Sequence, residues 1–267
     1  MIKIFNDKID KIKLNKDNFY VLADFDNTIT EKHCDSNIGS INRSKIFERD
    51  FYQEIQKIYD EYKIAILNAK DYDEKDSINS KKIKGFFEIY KKYNITSEMI
   101  ENVMINSGIK IRKDMIKFFK YLHKNKIPVI IISAGMSKCI EILLKNNEIY
   151  YENITIIANN VEFNEEGKIN NIPDKIINPV NKNKITFSKR ILEEINGRDY
   201  ILLFGDVPGD IKMIGNKEKS KTISIAFDNN KGNLLDLEKE FDIISSDGSV
   251  LKMLEEKIKN ESYNAKK

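Results

Sequence analysis

Two carboxylates stand two residues apart in Asp24-Phe25-Asp26-Asn27-Thr28, directly after the apolar run Tyr20-Val21-Leu22-Ala23. Oxygen donors crowded together in this way suit a hard divalent cation such as Mg²⁺. A second acidic pair, in Gly205-Asp206-Val207-Pro208-Gly209-Asp210, follows another apolar run, Ile201-Leu202-Leu203-Phe204. Between them, Ser133-Ala134-Gly135 follows Val129-Ile130-Ile131-Ile132. Its small residues let backbone N–H groups approach an anion, and a helix starting near Ser137 would add the positive end of its dipole. Lys182, in Val180-Asn181-Lys182-Asn183-Lys184, offers a cation, and Lys184 is a competing candidate. Taken singly, each element also has a plainer reading as a turn, a helix cap or a solvated charge.

These residues can act together only if the elements before them are neighbours. Short apolar runs that stop at polar residues read as buried parallel strands. Thr155-Ile156-Ile157-Ala158 and Thr222-Ile223-Ser224-Ile225-Ala226 read as further strands. Helical stripes lie between the runs: Met115, Phe118, Phe119 and Leu122; then Ile140, Leu143 and Leu144; then Phe187, Ile191, Leu192 and Ile195. Alternating strands and helices predict an α/β fold, a Rossmann-like parallel sheet with helices on both faces. Ligands in such sheets bind beyond the carboxyl ends of the strands, where Asp24, Ser133 and Asp206 would converge.

Residues 31–110 follow a different pattern. Phe47, Phe51, Ile55, Ile58, Tyr62 and Ile66 recur at steps of three or four and predict a long amphipathic helix. Asp71 to Ser80 reads as a polar break. Helix resumes over Ile83 to Tyr93 and, after a cap at Thr96 or Ser97, runs through Met104. The predicted organisation is a catalytic core of residues 1–30 and 111–267, with a helical cap domain, 31–110, inserted after the first core strand. A small hairpin is expected around Asn164-Glu165-Glu166-Gly167. Residues 1–18 are expected at the surface, and the polar tail after Lys257 is expected to fray.

Composition narrows the function classes. Apolar residues make up 41% of the 267, enough for a substantial core. The 45 basic and 42 acidic side chains nearly cancel, and a net charge of +3 argues against a binder of nucleic acid polymers. The charged N-terminus does not resemble a signal peptide, and the run Ile127 to Ile132, interrupted by Pro128, is far too short to span a membrane. With only two cysteines, Cys34 and Cys139, the expectation is a soluble cytoplasmic protein. His123, beside Lys124, is expected to be exposed, and the neighbours His33 and Cys34 are not expected to make a zinc site or a cysteine nucleophile, since sequence neighbours seldom face each other.

In order and spacing, the Asp-x-Asp-x-Thr element, the serine after an apolar strand, the lysine and the Gly-Asp-x-x-x-Asp element together resemble the haloacid dehalogenase (HAD) superfamily of phosphotransfer enzymes. The resemblance covers roughly residues 19–250. Ile127-Pro128-Val129 through Gly135, Val180-Asn181-Lys182, and the Gly-Asp-x-x-Gly-Asp loop are similar to the cytosolic pyrimidine 5′-nucleotidase family, as is Asn159 to Gly167. The cap departs from that family: Ile89 and Tyr90 stand where bulky aromatics are usual, and Glu31 to Ser44 is a segment of its own.

That resemblance implies a Mg²⁺-dependent phosphatase acting through an aspartyl-phosphate on a small phosphomonoester, a pyrimidine nucleoside 5′-monophosphate. It implies Asp24 as nucleophile, and Asp24, Asp206 and the backbone carbonyl of Asp26 as metal ligands. Asp26 becomes the general acid and base. Ser133, Ala134, Gly135 and Lys182 hold the phosphoryl group, Asp210 orients Lys182 or a metal-bound water, and Thr28 fixes the loop by hydrogen bonds. Glu88 falls where a cap glutamate reads the base, and Ser107 where a cap serine lines the pocket. Two alternatives stand beside it: a phosphatase of the same fold for phosphoserine or sugar phosphates, and a non-catalytic nucleotide- or phosphate-binding module.

Overall fold

Phe19, Val21 and Ala23 pack into one apolar cluster while Tyr20 and Leu22 pack into another. The same alternation separates Val129 and Ile131 from Ile130 and Ile132, and Leu202 and Phe204 from Ile201 and Leu203. Successive side chains of a strand point to opposite faces, so runs that are apolar throughout form a sheet buried on both sides.

The computed structural model describes residues 1–264, and the side chains of all of these except 216–218. Strand β1 (Ile2–Ile4) and one turn of helix, α1 (Lys8–Lys11), precede β2 (Phe19–Ala23). Helices α2 (Asn37–Arg43), α3 (Arg49–Asn68), α4 (Tyr72–Lys92) and α5 (Ser97–Asn106) follow. Next come α6 (Lys113–Lys124), β3 (Val129–Met136), α7 (Ser137–Asn146), β4 (Ile154–Asn159) and the hairpin of β5 (Glu162–Phe163) and β6 (Ile169–Asn171). A 3₁₀ turn at Lys182–Lys184 leads to α8 (Lys189–Glu194), β7 (Tyr200–Gly205) and a 3₁₀ helix over Pro208–Ile214. The chain ends with β8 (Thr222–Phe227), α9 (Leu234–Glu240), β9 (Ile243–Ser245) and α10 (Ser249–Asn264).

The main sheet has the order β1-β9-β8-β7-β2-β3-β4. Its strands run parallel, except that β1 is antiparallel to β9. From β2 the chain moves outward through β3 and β4, then returns to build the other half from β7. The order therefore reverses at β2, and the crevice beyond the carboxyl ends of β2, β3 and β7 is the switch point at which such sheets bind ligands.

The expected α/β class and the five expected strands are all present. The N-terminus differs from expectation: β1 is an edge strand, and Ile9, Ile12 and Leu14 are buried. The polar stretch 71–80 is not a break. The break falls before Asp71, whose side chain accepts from the Glu74 N–H at 2.8 Å and caps α4. Most of the tail after Lys257 is helix, because α10 continues to Asn264 with Ile258 buried; residues 265–267 lie outside the described residues. Leu192, read as part of an apolar stripe, is exposed on the short helix α8.

The helical segment leaves and rejoins the sheet at one place. Thr30 and Ile111 form an isolated antiparallel bridge, and Glu31 N–H donates to the Lys110 carbonyl at 2.7 Å. Within it, α3 and α4 meet at Phe51, which is fully buried against Phe47, Tyr52, Tyr90 and Tyr93, with ring centroids 4.5 to 6.1 Å away. Phe51→Ala leaves a cavity lined by four rings and is expected to destabilise the fold by about 3–5 kcal/mol. A urea titration followed by circular dichroism checks this: an unchanged midpoint would show that the ring cluster does not hold the helices together.

Candidate active site

Each strand of the switch point ends in the residues that the sequence marks. Asp24 follows β2 and is buried beside β7, its N–H donating to the Phe204 carbonyl at 3.0 Å. Asn27 has a positive φ of 64°, a conformation Asn tolerates, and its N–H donates to Thr30 Oγ1 at 2.7 Å. Ser133-Ala134-Gly135 lies inside β3, where the register against β4 shifts between Ile132 and Met136. Ser133 Oγ accepts from the Gly135 N–H at 3.0 Å.

Lys182 is the cation at the centre. Its Nζ lies 2.5 Å from Asp24 Oδ1 and 2.7 Å from Asp210 Oδ1, with all three residues buried. Asp210 Oδ2 accepts from the N–H groups of Asp206 and Val207 at 3.0 and 3.2 Å. One carboxylate thereby orients the lysine and closes its own loop. Gly205 has no room for a side chain, since a Cβ there would stand 2.6 Å from Asp210 Cβ. The competing lysine, Lys184, is half exposed and pairs instead with Asp76 at 2.8 Å and Asp73 at 3.3 Å.

Asp24, Asp206 and Asp210 each offer an oxygen, and these oxygens lie within 4.8 Å of one another. Among the described residues this is the one acidic group so arranged. Asp206 also pairs with Lys231 at 2.7 Å and accepts from Asn229 Nδ2 at 3.2 Å. Three carboxylates thus face two ammonium groups, Lys182 and Lys231. Burial pushes the carboxyl of Asp24 up; Lys182 opposes this, and Asp210 and Asp206 add to it. Burial also raises Asp206, reinforced by Asp210. Burial alone would lower Lys182, but Asp210 and Asp24 override it and hold the ammonium group protonated. A compact set of hard oxygen donors with negative charge in excess fits a divalent cation such as Mg²⁺.

Asp26 turns away from this cluster. Its carboxylate accepts from the backbone N–H and the side-chain Nδ2 of Asn37, each at 3.1 Å. Burial pushes its pKa up to about 6, although the Asn37 hydrogen bonds pull it down. A carboxyl that titrates near neutrality and does not share the metal-ligand cluster is suited to giving and taking a proton.

Three residues to which the sequence attached no role hold the site together. Asn37 opens α2, inside the segment Glu31 to Ser44. Besides binding Asp26, its Oδ1 accepts from the Met136 N–H at 2.9 Å. Asn159 donates to the carbonyls of Ala134, Gly135 and Ile177 at 2.8 to 3.2 Å. The buried Arg112 donates to the carbonyls of Asn27 and Thr28 and to Asn229 Oδ1 at 2.8 to 2.9 Å, and its guanidinium lies 4.4 Å over the Phe227 ring. Asn37 had a faint signal, a helix start after the cap Ser36; Asn159 stood at the start of the family-like segment 159–167 with no role attached to it, and Arg112 had no signal.

The structure does not bring every expected residue to the site. A cavity of about 350 Å³ joins Asp24, Asp26, Ser133, Lys182, Asp206 and Asp210 to the helical segment. Glu88 and Ser107 do not line it. On α4 the cavity-facing positions are Asn79, Lys82, Ile83 and Phe86, spaced by three and four. Glu88 lies two residues beyond Phe86, about 200° around the helix, and is exposed. Ser107 ends α5: its Oγ donates to the Met104 carbonyl at 2.8 Å and accepts from the Ile109 N–H at 3.1 Å. Among the described residues Thr28 Oγ1 is buried with no hydrogen-bond partner, so the loop is held by Thr30 and Arg112 and not by that hydroxyl. His123 is half-buried rather than exposed, stacked on Tyr151 at 4.0 Å, and His33 and Cys34 join no metal-binding group among the described residues.

Gly135 tests the packing of these loops. A Cβ there would stand 2.1 Å from Asn37 Nδ2 and 2.6 Å from its Oδ1, and Asn37 is fully buried. Gly135→Ala is expected to cost about 1–3 kcal/mol and to lower the melting temperature by roughly 2–10 °C. A melting curve matching that of the unaltered protein would mean that Asn37 is free to move.

Known proteins share this architecture. The family model described as Pyrimidine 5′-nucleotidase (UMPH-1) matches residues 21–260. The 7-methylguanosine phosphate-specific 5′-nucleotidase of Homo sapiens is 26% identical over 204 residues, covering 74% of this chain and 68% of that protein. The crystal structure of cytosolic 5′-nucleotidase IIIB bound to cytidine has the same fold, with a TM-score of 0.81 and 19% identity over 100% of this chain and 95% of that one. A substrate-bound phosphoserine phosphatase aligns with a TM-score of 0.55 and 18% identity, covering 89% of this chain and 96% of the other. With the family model spanning nearly the whole chain and an acidic site at the expected strand ends, this protein belongs to the pyrimidine 5′-nucleotidase (UMPH-1) family and is a phosphatase built on the HAD fold.

Proposed function

We propose that this protein hydrolyses pyrimidine nucleoside 5′-monophosphates through a phosphorylated Asp24. The observation that carries this reading is the buried grouping of Asp24, Lys182, Asp206 and Asp210, with Asp26 held apart by Asn37. A phosphomonoester dianion repels an anionic nucleophile, and a site that attacks it must first neutralise it. Mg²⁺, held by Asp24, Asp206 and the Asp26 backbone carbonyl, would supply positive charge to the phosphoryl oxygens and fix an in-line approach. Lys182 contributes the second positive charge, and the small residues of Ser133-Ala134-Gly135 let backbone N–H groups meet the remaining oxygens. Asp24 attacks phosphorus as the bond to the nucleoside oxygen breaks, and Asp26 delivers a proton to that oxygen. Asp26 then takes a proton from the water that attacks the phosphorus of the aspartyl-phosphate, releasing phosphate and restoring Asp24.

Residues 31–110 serve as the cap over residues 1–30 and 111–267. Asp76 on α4 accepts from Asn178 and Asn181 at 2.7 and 2.8 Å and pairs with Lys184, which ties the cap to the loop carrying Lys182. A cap fastened there limits access of bulk water to the phosphoryl group. The family description and the cytidine in the related structure support a pyrimidine substrate. The relatives specific for 7-methylguanosine phosphate make that nucleotide the competitor to test first.

Purified protein with Mg²⁺ is expected to release phosphate from cytidine and uridine monophosphates faster than from phosphoserine or glucose 6-phosphate. A wide margin in favour of either of the latter would overturn the substrate assignment. Asp24→Asn is expected to lower turnover at least ~10³-fold, and residual activity within tenfold would exclude it as the nucleophile. EDTA is expected to abolish activity and added Mg²⁺ to restore it; turnover that survives the chelator would contradict the cation's role.

A further inference from the structure

The helical wall of the cavity contains a cation without a counter-ion. Lys82 lies on α4 between Asn79 and Phe86, on the face turned to the cavity, and is half-buried. No hydrogen bond or ion pair reaches its ammonium group among the described residues, although Lys182 and Lys231 in the same cavity are both paired. Burial lowers its pKa, and no neighbouring carboxylate compensates. A half-buried ammonium group left unpaired in a cavity is costly unless a ligand supplies an acceptor.

Its surroundings define that ligand. Tyr59 and Phe86 stand with ring centroids 5.0 Å apart, and with Ile38 and Ile83 they form an apolar surface suited to a flat ring. The helical wall contributes no carboxylate to the cavity, and Glu88 faces solvent. Nothing on this wall among the described residues therefore balances a base that carries positive charge, as the methylated imidazole ring of a 7-methylguanosine nucleotide does.

We propose that Lys82 determines base specificity: its ammonium group donates to a carbonyl oxygen of a neutral, oxo-bearing nucleobase and disfavours a positively charged one. This rests on the nucleotidase reading above and assigns the substrate preference within it. The phosphoryl group already has Lys182 and the Ser133-Ala134-Gly135 segment of β3, while among the described residues the base has no other cationic donor on the cap wall.

The test compares kcat/KM for uridine monophosphate, 7-methylguanosine monophosphate and p-nitrophenyl phosphate in the unaltered protein and in Lys82→Met, Lys82→Arg and Lys82→Glu. Lys82→Met is expected to lower the value for uridine monophosphate by ~10-fold or more, the loss of one charge-assisted hydrogen bond. The aryl phosphate, which has no base edge, should fall far less. Lys82→Arg should retain most of the uridine monophosphate activity, and Lys82→Glu should move the ratio furthest toward 7-methylguanosine monophosphate. Equal losses on the nucleotide and the aryl phosphate would place Lys82 at the phosphate and overturn the proposal, as would a nucleotide ratio unmoved in Lys82→Met and Lys82→Glu. The nucleotidase reading fails separately, and takes the proposal with it, if the unaltered protein cleaves the aryl phosphate but neither nucleotide.

Discussion

A buried ammonium group between two buried carboxylates is the constraint on which this site depends. Lys182 meets Asp24 and Asp210 where water is largely excluded, so each charge needs the others. Without Lys182, the carboxyl groups gathered beyond β2 and β7 would repel one another and take up protons. Even with it, burial and mutual repulsion hold Asp24 and Asp206 above the usual carboxylate range, so the cluster is short of positive charge, which suits it to a divalent cation and, through that cation, to a phosphate. The lysine comes from a 3₁₀ turn, far in sequence from both partners, and Asp76 with Asn178 and Asn181 anchors that turn to α4. Whatever holds α4 in place therefore also holds the central cation of the site.

Amide side chains supply the rest of the rigidity. A carboxamide both donates and accepts, so it can join two loops without adding charge to a site already crowded with it. Asn37 joins Asp26 to Met136, Asn159 joins Ala134 and Gly135 to Ile177, and Asn229 joins Asn27 to Asp206. Arg112 adds a cation where the helical segment rejoins the sheet, and it contacts the first acidic loop only through backbone carbonyls. Backbone contacts fix the path of that loop while leaving its carboxylates free for chemistry.

Much of the fold was legible because its signals are local. Three apolar runs that end at polar residues and two further apolar runs became five strands of the sheet, and the period-two separation of side chains in the first three follows from burial on both faces. The cap at Thr96 opens a helix at Ser97 as its pattern indicated, and the helix expected near Ser137 begins there. The edge pairing of β1 with β9 was not legible, since each strand is three residues long and carries little pattern. The stretch 71–80 misled because its polar residues bond to another loop, so that a helix face turned toward polar partners resembles a break in one dimension.

The spacing and type of its residues determined by themselves that two acidic pairs, a small-residue turn and a lysine would meet at the carboxyl edge of a parallel sheet. Strand direction is written in local pattern, and a parallel sheet aligns strand ends without further instruction. Only the tertiary structure decided which lysine, Lys182 or Lys184, enters the site, that Asn37 supports Asp26, and that Lys82 rather than Glu88 faces the cavity. Those choices depend on the rotation of one helix about its axis and on partners distant in the chain, where a shift of two residues turns a side chain from the cavity to solvent.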